Sequence, residues 1–352
     1  MIKVLVVDDS ALVRKLLGKV FSEEPGFEVV FARDGLEALA MLAEHRPDVV
    51  TLDIHMPQLD GLATLDRIML ERPCPVVMVS ALTAEGAEVT LEALRLGAVD
   101  FLPKPGGAVS LKMDEFAPEV IAKVRSAASA RLPATRRLAE RIRHRVSGAA
   151  PAVPAGRRRE SAQARIAPAS GMGVVLIGTS TGGPPALEAV LTRLPEGFPW
   201  PIVIAQHMPS SFTGPLARRL NGLSNIEVVE VTTKAVLEPG YAYIARGDAD
   251  IVLANRAGQL VAISTPSEPG YPWHPSTDRL VRSALDAAPS SPMPVMRIPI
   301  SCSAGGRTIA EAEETAVVWG MPGELVKAGG ADIIAPVNEI AARLQEIAPP
   351  CR

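Results

Sequence analysis

At 352 residues the chain is long enough for two ordinary domains, each with its own core. Its 47% hydrophobic and 21% charged residues are those of a soluble globular protein, and a formal net charge of -3 gives no reason to expect whole-molecule attraction to nucleic acid or an anionic membrane. Only Cys74, Cys302 and Cys351 are present, without the paired spacing of a disulfide framework or a zinc knuckle, so a reducing, cytoplasmic compartment is expected. Acids follow the first apolar run directly, unlike a secretory signal, and no apolar stretch is long enough to span a bilayer.

Residues 1–125 alternate short Val/Ile/Leu runs, at 3–7, 48–52 and 75–79, with helix-like stretches at 11–21 and 35–45. That alternation predicts βαβ units and a parallel sheet covered on both faces, a doubly wound α/β domain. The polar residues at the strand ends carry the chemistry. Asp8 and Asp9 follow the first run, Asp53 ends VVTLD, Ser80 closes VVMVS, and Lys104-Pro105 follows VDFLP. Loops at the carboxyl ends of neighbouring parallel strands converge on one crevice. Three carboxylates gathered there repel each other unless a hard cation such as Mg²⁺ lies between them. Phosphoryl transfer needs that cation and a carboxylate nucleophile, while a hydroxyl and an ammonium can hold the transferred group. Taken singly, each of these residues does no more than cap a strand or helix. As an ordered set they point to phosphoryl chemistry.

Residues 126–170 read as a linker. Past residue 130 arginines dominate, Glu140 and Glu160 are the only acids, and Ala, Pro, Ser and Gly fill much of the rest. A helix is expected at 135–146 and a flexible tether elsewhere. No aromatic residue interrupts the basic run and no folded reading head accompanies it, which argues against nucleic-acid binding. Limited trypsin digestion should therefore cut first between Arg131 and Arg165 and leave two stable halves. Early cuts inside either flanking domain, with the linker protected, would contradict the tether.

From residue 173 the α/β pattern resumes, with strands at 174–178, 201–206, 228–231 and 241–245 and a helix at 184–194. Thr179-Ser180-Thr181-Gly182-Gly183 lies between the first strand and the helix. Such a turn holds the serine clear of the sheet, lets a partner approach over the glycines, and has the N–H groups of a helix N-terminus at hand for an oxyanion. It is not G-x-S-x-G, lacks a P-loop lysine and lacks the dinucleotide spacing, so by itself it fits a structural or phosphate-cradling turn equally well. His207 ends the next strand. A lone histidine is more often structural, but adjacent parallel strands would bring this one near Ser180, within reach of its proton.

Two resemblances extend this reading. The ordered set Asp8-Asp9, Asp53, Ser80 and Lys104-Pro105 makes the first 125 residues resemble a response-regulator receiver domain. The resemblance implies that Asp53 is phosphorylated, that Asp8, Asp9 and Asp53 hold Mg²⁺ with the His55 carbonyl, and that Ser80 and Lys104 form a switch pair. Further on, IGTSTGG, AQHMPSSFTGPLARRL, LEPGYAYIARGD, HPSTDRLVRSAL and AVVWGMP occur in order and cover most of residues 173–345. Together they resemble the catalytic domain of chemotaxis protein-glutamate methylesterases, whose receiver–linker–esterase order the chain shares. The resemblance implies an α/β parallel-sheet effector over 171–350, with Ser180 as nucleophile, Thr181 beside it and His207 as general base. It also implies hydrolysis of glutamyl methyl esters and deamidation of glutamines on chemoreceptors, with a chemotaxis histidine kinase as phosphodonor and no direct membrane insertion.

One element of that family's pattern is missing. The third catalytic residue belongs to a Gly-Met-Gly-x-Asp-Gly loop, but here residues 284–305 read ALDAAPSSPMPVMRIPISCSAG. Prolines at 289, 292, 294 and 299 cannot sit in a central strand, and the segment is too short for a strand, a loop and a return helix. Asp286 lies in a helix-like stretch and takes no catalytic role. Asp248, Asp250 and Asp278 carry no signal that places them against His207. The expectation is a weakened esterase. The alternative is a receptor-binding adaptor or phosphate sink. A DNA-binding regulator is excluded by the strands and serine turn standing where a helix-turn-helix is needed.

Overall fold

The computed structural model describes residues 1–80, 83–104, 113–132, 173–287 and 306–348. Pro105, most of the tether with its expected helix at 135–146, and the proline-rich segment from 288 to 305 lie outside the described residues. The chain divides into two compact units, Met1–Ala150 and Pro151–Arg352.

The first unit runs β1 (Ile2–Val7), α1 (Ala11–Glu23), β2 (Phe27–Ala32), α2 (Gly35–His45), β3 (Val49–Asp53), α3 (Gly61–Glu71), β4 (Val76–Ser80), α4 (Ala84–Leu96), β5 (Asp100–Pro103) and α5 (Met113–Ala128). Its five strands are parallel, in the order β2-β1-β3-β4-β5. Every residue of β3 and β4 is buried, which is why both read as continuous apolar runs. The strand order reverses at β1, so the loops after β1 and β3 part to open a crevice. Side-chain caps start the helices close behind the strands. Ser10 accepts from Val13 N–H, Asp34 from Glu37, Asp60 from Ala63 and Thr83 from Gly86. Helix α1 runs two residues past its expected end and stops at Glu24, whose extended backbone (φ -101°, ψ 123°) is the one a following Pro25 demands.

The second unit runs β6 (Val175–Thr179), α6 (Gly183–Leu191), β7 (Ile202–Gln206), α7 (Ser210–Leu223), β8 (Glu227–Val231), β9 (Lys234–Val236), β10 (Tyr241–Ala245), β11 (Ala249–Arg256), β12 (Gln259–Pro266), α8 (Thr277–Ala287), β13 (Ile309–Glu311), α9 (Met321–Lys327), β14 (Ile333–Ala335) and α10 (Val337–Ile347). Four strands form a parallel sheet, β6-β7-β10-β8. Its Leu176, Val203 and Tyr243 pack with Leu280, Val281 and Ala284 of α8 into one core. Helix α6 ends three residues before its expected end. Arg193 and Leu194 bond three residues back instead of four, tightening the chain ahead of Pro195.

Two further sheets go beyond the expected parallel one. β11, β12 and β9 make an antiparallel sheet, and among the described residues β13 pairs with β14. The β11–β12 hairpin turns through Ala257 (φ 52°) and Gly258 (φ 81°), two positive φ values in succession that fit the right-handed twist of its strands. Among the described residues, no helix is long and apolar enough to cross a membrane.

Candidate functional site

Each unit places polar side chains at the carboxyl ends of its parallel strands. In the first, Asp8 and Asp53 are buried, Asp9 is exposed, and one carboxylate oxygen from each lies within 4.8 Å of the others. The Lys104 ammonium stands 3.0 Å from Asp8 Oδ2 and 2.8 Å from Asp53 Oδ2. These two buried oxygens make no other hydrogen bond among the described residues. Burial, with the charge of Asp53 adding to it, pushes the Asp8 carboxyl above the usual range, against Lys104 and the Ser10 N–H. Burial also works against the Lys104 ammonium, but the hydrogen bond and charge of Asp53, with Asp8 behind them, outweigh it and raise that pKa.

Backbone geometry sharpens this crevice. Gly61, at the start of α3, approaches Asp53 so closely that a Cβ would run into the Asp53 carbonyl, and its own N–H bonds to the Ile54 carbonyl at 2.9 Å. Ser80, the last residue of β4, is fully buried and its Oγ donates to the Gly86 carbonyl at 3.3 Å. The exposed His55 donates its N–H to Asp53 Oδ1 at 3.4 Å. Three carboxylates with two underbonded oxygens are a donor set for a hard, oxygen-seeking cation, so Mg²⁺ fits the residues present.

In the second unit, β6 and β7 pair with Thr179 opposite Gln206, so Ser180 and His207 each follow a paired residue. The His207 N–H donates to the Thr179 carbonyl at 3.0 Å. Both side chains are half-buried. Gly182 takes a left-handed conformation (φ 76°) to turn the chain into α6, and a Cβ on Gly183 would strike the side chain of Gln206. The first turn of α6 supplies fewer donors than expected. Pro184 and Pro185 have no N–H, and the Gly183 N–H is taken by the Ser180 carbonyl at 2.8 Å.

Gln206 carries no signal in the sequence. Its side-chain amide is buried and donates to the Ser180 carbonyl and the His207 carbonyl, each at 3.1 Å. One planar group thus joins the backbones of the two expected reactive residues. A second unforeseen feature is Trp273, half-exposed, whose ring lies 6.2 Å from the His207 imidazole at 23°. Asp286 is exposed near the end of α8.

The family model described as CheB methylesterase matches residues 175–295 and 302–344, and that of the response regulator receiver domain matches 4–113. A relative named protein-glutamate methylesterase/protein-glutamine glutaminase 2, from Rhodopseudomonas palustris (strain BisB18), is 52% identical and aligns over 98% of both chains. Another of that name, numbered 3, from Rhodospirillum rubrum is 49% identical over 98% of this chain and 95% of its own. A third, from Geobacillus kaustophilus (strain HTA426), is 43% identical over 98% of both. With a receiver match ahead of an esterase match and relatives aligned from end to end, the chain belongs to the CheB methylesterase family.

Proposed function

We propose that the chain hydrolyses glutamyl methyl esters on chemoreceptors, and deamidates receptor glutamines, under control of phosphorylation at Asp53. The observation that carries this reading is the β6–β7 register, which sets Ser180 and His207 side by side at adjacent strand ends with Gln206 bonded to both backbones. In the reaction, Ser180 Oγ attacks the ester carbonyl while His207 takes the hydroxyl proton. In this reading the developing oxyanion lies beside the serine turn that leads into α6. The tetrahedral intermediate collapses, and His207 returns the proton to the departing methoxide, releasing methanol. A water, deprotonated by His207, then attacks the acyl-enzyme, and His207 returns that proton to the departing Ser180 Oγ as the glutamyl acid is released and ionises. With glutamine, ammonia leaves in place of methanol.

In the first unit, Asp53 is the phosphoryl acceptor, a chemotaxis histidine kinase the donor, and Ser80 and Lys104 the groups that bind the acquired phosphoryl oxygens. Asp8, Asp9 and Asp53 hold Mg²⁺, which when bound neutralises charge on the phosphoryl oxygens. The compartment is the cytoplasm. A reduced Cys74 suits it, and this thiol is inert because burial pushes its pKa up to about 12.

Methanol release from methylated receptor membranes tests the reading. The unmodified chain should give a slow but measurable rate, and Ser180→Ala should remove it. Equal release by the two proteins would return the adaptor reading.

A further inference from the structure

Residues 267–276 join β12 to α8 and are closed through a single carboxylate. Asp250, the second residue of β11, is 1% exposed. At the start of the segment it accepts from the Glu268 N–H at 3.2 Å. At the end it accepts from His274 Nδ1 at 3.0 Å and the Ser276 N–H at 2.7 Å. Arg279, in the first turn of α8, places Nη1 2.9 Å from Asp250 and 2.8 Å from the Pro266 carbonyl, and its Nε 3.1 Å from Glu268 Oε2. Burial alone would raise the Asp250 pKa, but the His274, Ser276 and Arg279 bonds outweigh it and hold the carboxyl below its usual range. The carboxylate therefore stays charged and ties both ends of the segment to β11. Thr277, directly after it, packs so tightly on β6 that a Cβ at Gly178 would meet its side chain.

Between those fixed ends stands Trp273, half of its surface open to solvent and its indole beside the His207 ring. We propose that the Asp250-tied segment sets the orientation of the His207 imidazole, with Trp273 as the positioning residue against the face of that ring. This rests on the reading of Ser180 and His207 as nucleophile and base, and deepens it. An imidazole is oriented by what bonds to its nitrogens and by what lies on its faces. The Asp loop of the family's pattern acts on a nitrogen, whereas Trp273 acts on a face. Once the ring has taken the Ser180 proton it is cationic, and the negative face of an indole attracts it. Trp273 thus both limits the ring's swing and favours the charged state that forms during attack.

The test uses the full chain with isotope-labelled histidine, as wild type and as Trp273→Leu, Trp273→Phe and Asp250→Asn. His207 is identified among the five histidines by its loss in His207→Gln. Leucine removes the aromatic face and leaves every charged side chain around the imidazole as it was. In Trp273→Leu the His207 resonances should lose their ring-current shift and the titration midpoint should fall by about half a pH unit. Ester hydrolysis should lose roughly 10-fold or more in kcat with KM within about twofold, and the acid limb of the pH profile should follow the midpoint. Trp273→Phe should recover most of each effect, and Asp250→Asn should reproduce the leucine result. His207 resonances and midpoint unchanged in Trp273→Leu would overturn the inference, whatever Ser180→Ala shows. A moved midpoint with unaltered turnover would keep Trp273 on the ring and remove His207 from the chemistry. Should Asp250→Asn fail to fold, the two Trp273 variants carry the test, since that side chain is half in solvent.

Discussion

Asp53→Asn is expected to reduce phosphoryl labelling, from a small phosphodonor with Mg²⁺ or from a histidine kinase, to background. Asp53 is the one carboxylate of the cluster that ends a central strand, buried, with Lys104 at 2.8 Å and Asp8 and Asp9 beside it. Asparagine keeps the shape but replaces the attacking oxygen with an amide and removes one negative charge from the cation's donor set. The substitution should leave the fold intact, because it also relieves repulsion within the acidic cluster. Circular dichroism and thermal melting check that condition. Undiminished labelling in a folded Asp53→Asn protein would move the acceptor to another residue.

A comparably large effect, in the opposite direction, is expected from restoring the absent carboxylate. Replacing residues 288–304 with a strand, a Gly-Met-Gly-x-Asp-Gly loop and a return helix should raise methyl-ester hydrolysis by up to ~10⁴-fold, the size of the triad aspartate effect in serine proteases. The strand ends that carry Ser180 and His207 are already adjacent, so the graft is designed to supply tautomer control and stabilisation of the imidazolium. The same graft with Asn at the Asp position should leave the rate near its starting level. Ser180→Ala in the grafted protein should abolish the gain. If the unmodified chain already turns over at the rate of the grafted one, another acid has taken the role.

The strands and helices that position both sites were largely legible, because a buried parallel strand needs an apolar run and the helix after it needs a cap. Helix α2 occupies the stretch read from its periodicity, flanked by Asp34 and by a left-handed Arg46. The gathering of Asp8, Asp9, Asp53 and Lys104 followed from strand-end placement alone, since topology brings those ends together. The pairing of the two strands that end at Ser180 and His207 followed in the same way. The hairpin β11–β12 was not read, because its Ala257-Gly258 turn lacks the Asn-Gly or Asp-Gly signature. Nothing in the sequence places Asp250. Its partners Glu268, His274, Ser276 and Arg279 lie 18 to 29 residues away in sequence, and no local pattern announces such a cluster. Gln206 escaped for a related reason, as its partners are carbonyls whose positions exist only once two loops have formed.

The Gln206 bridge also bears on how such a protein changes over generations. Because main-chain carbonyls, strand register and one buried amide hold Ser180 beside His207, the pair's assembly is coupled to the integrity of the sheet and not to turnover. A change that shifted the β6–β7 register would both pull the two apart and disturb the sheet. A lineage can therefore let its catalytic rate drift while the arrangement persists as a by-product of stability. A gain of activity then calls for change in one segment, with no need to rebuild the pair.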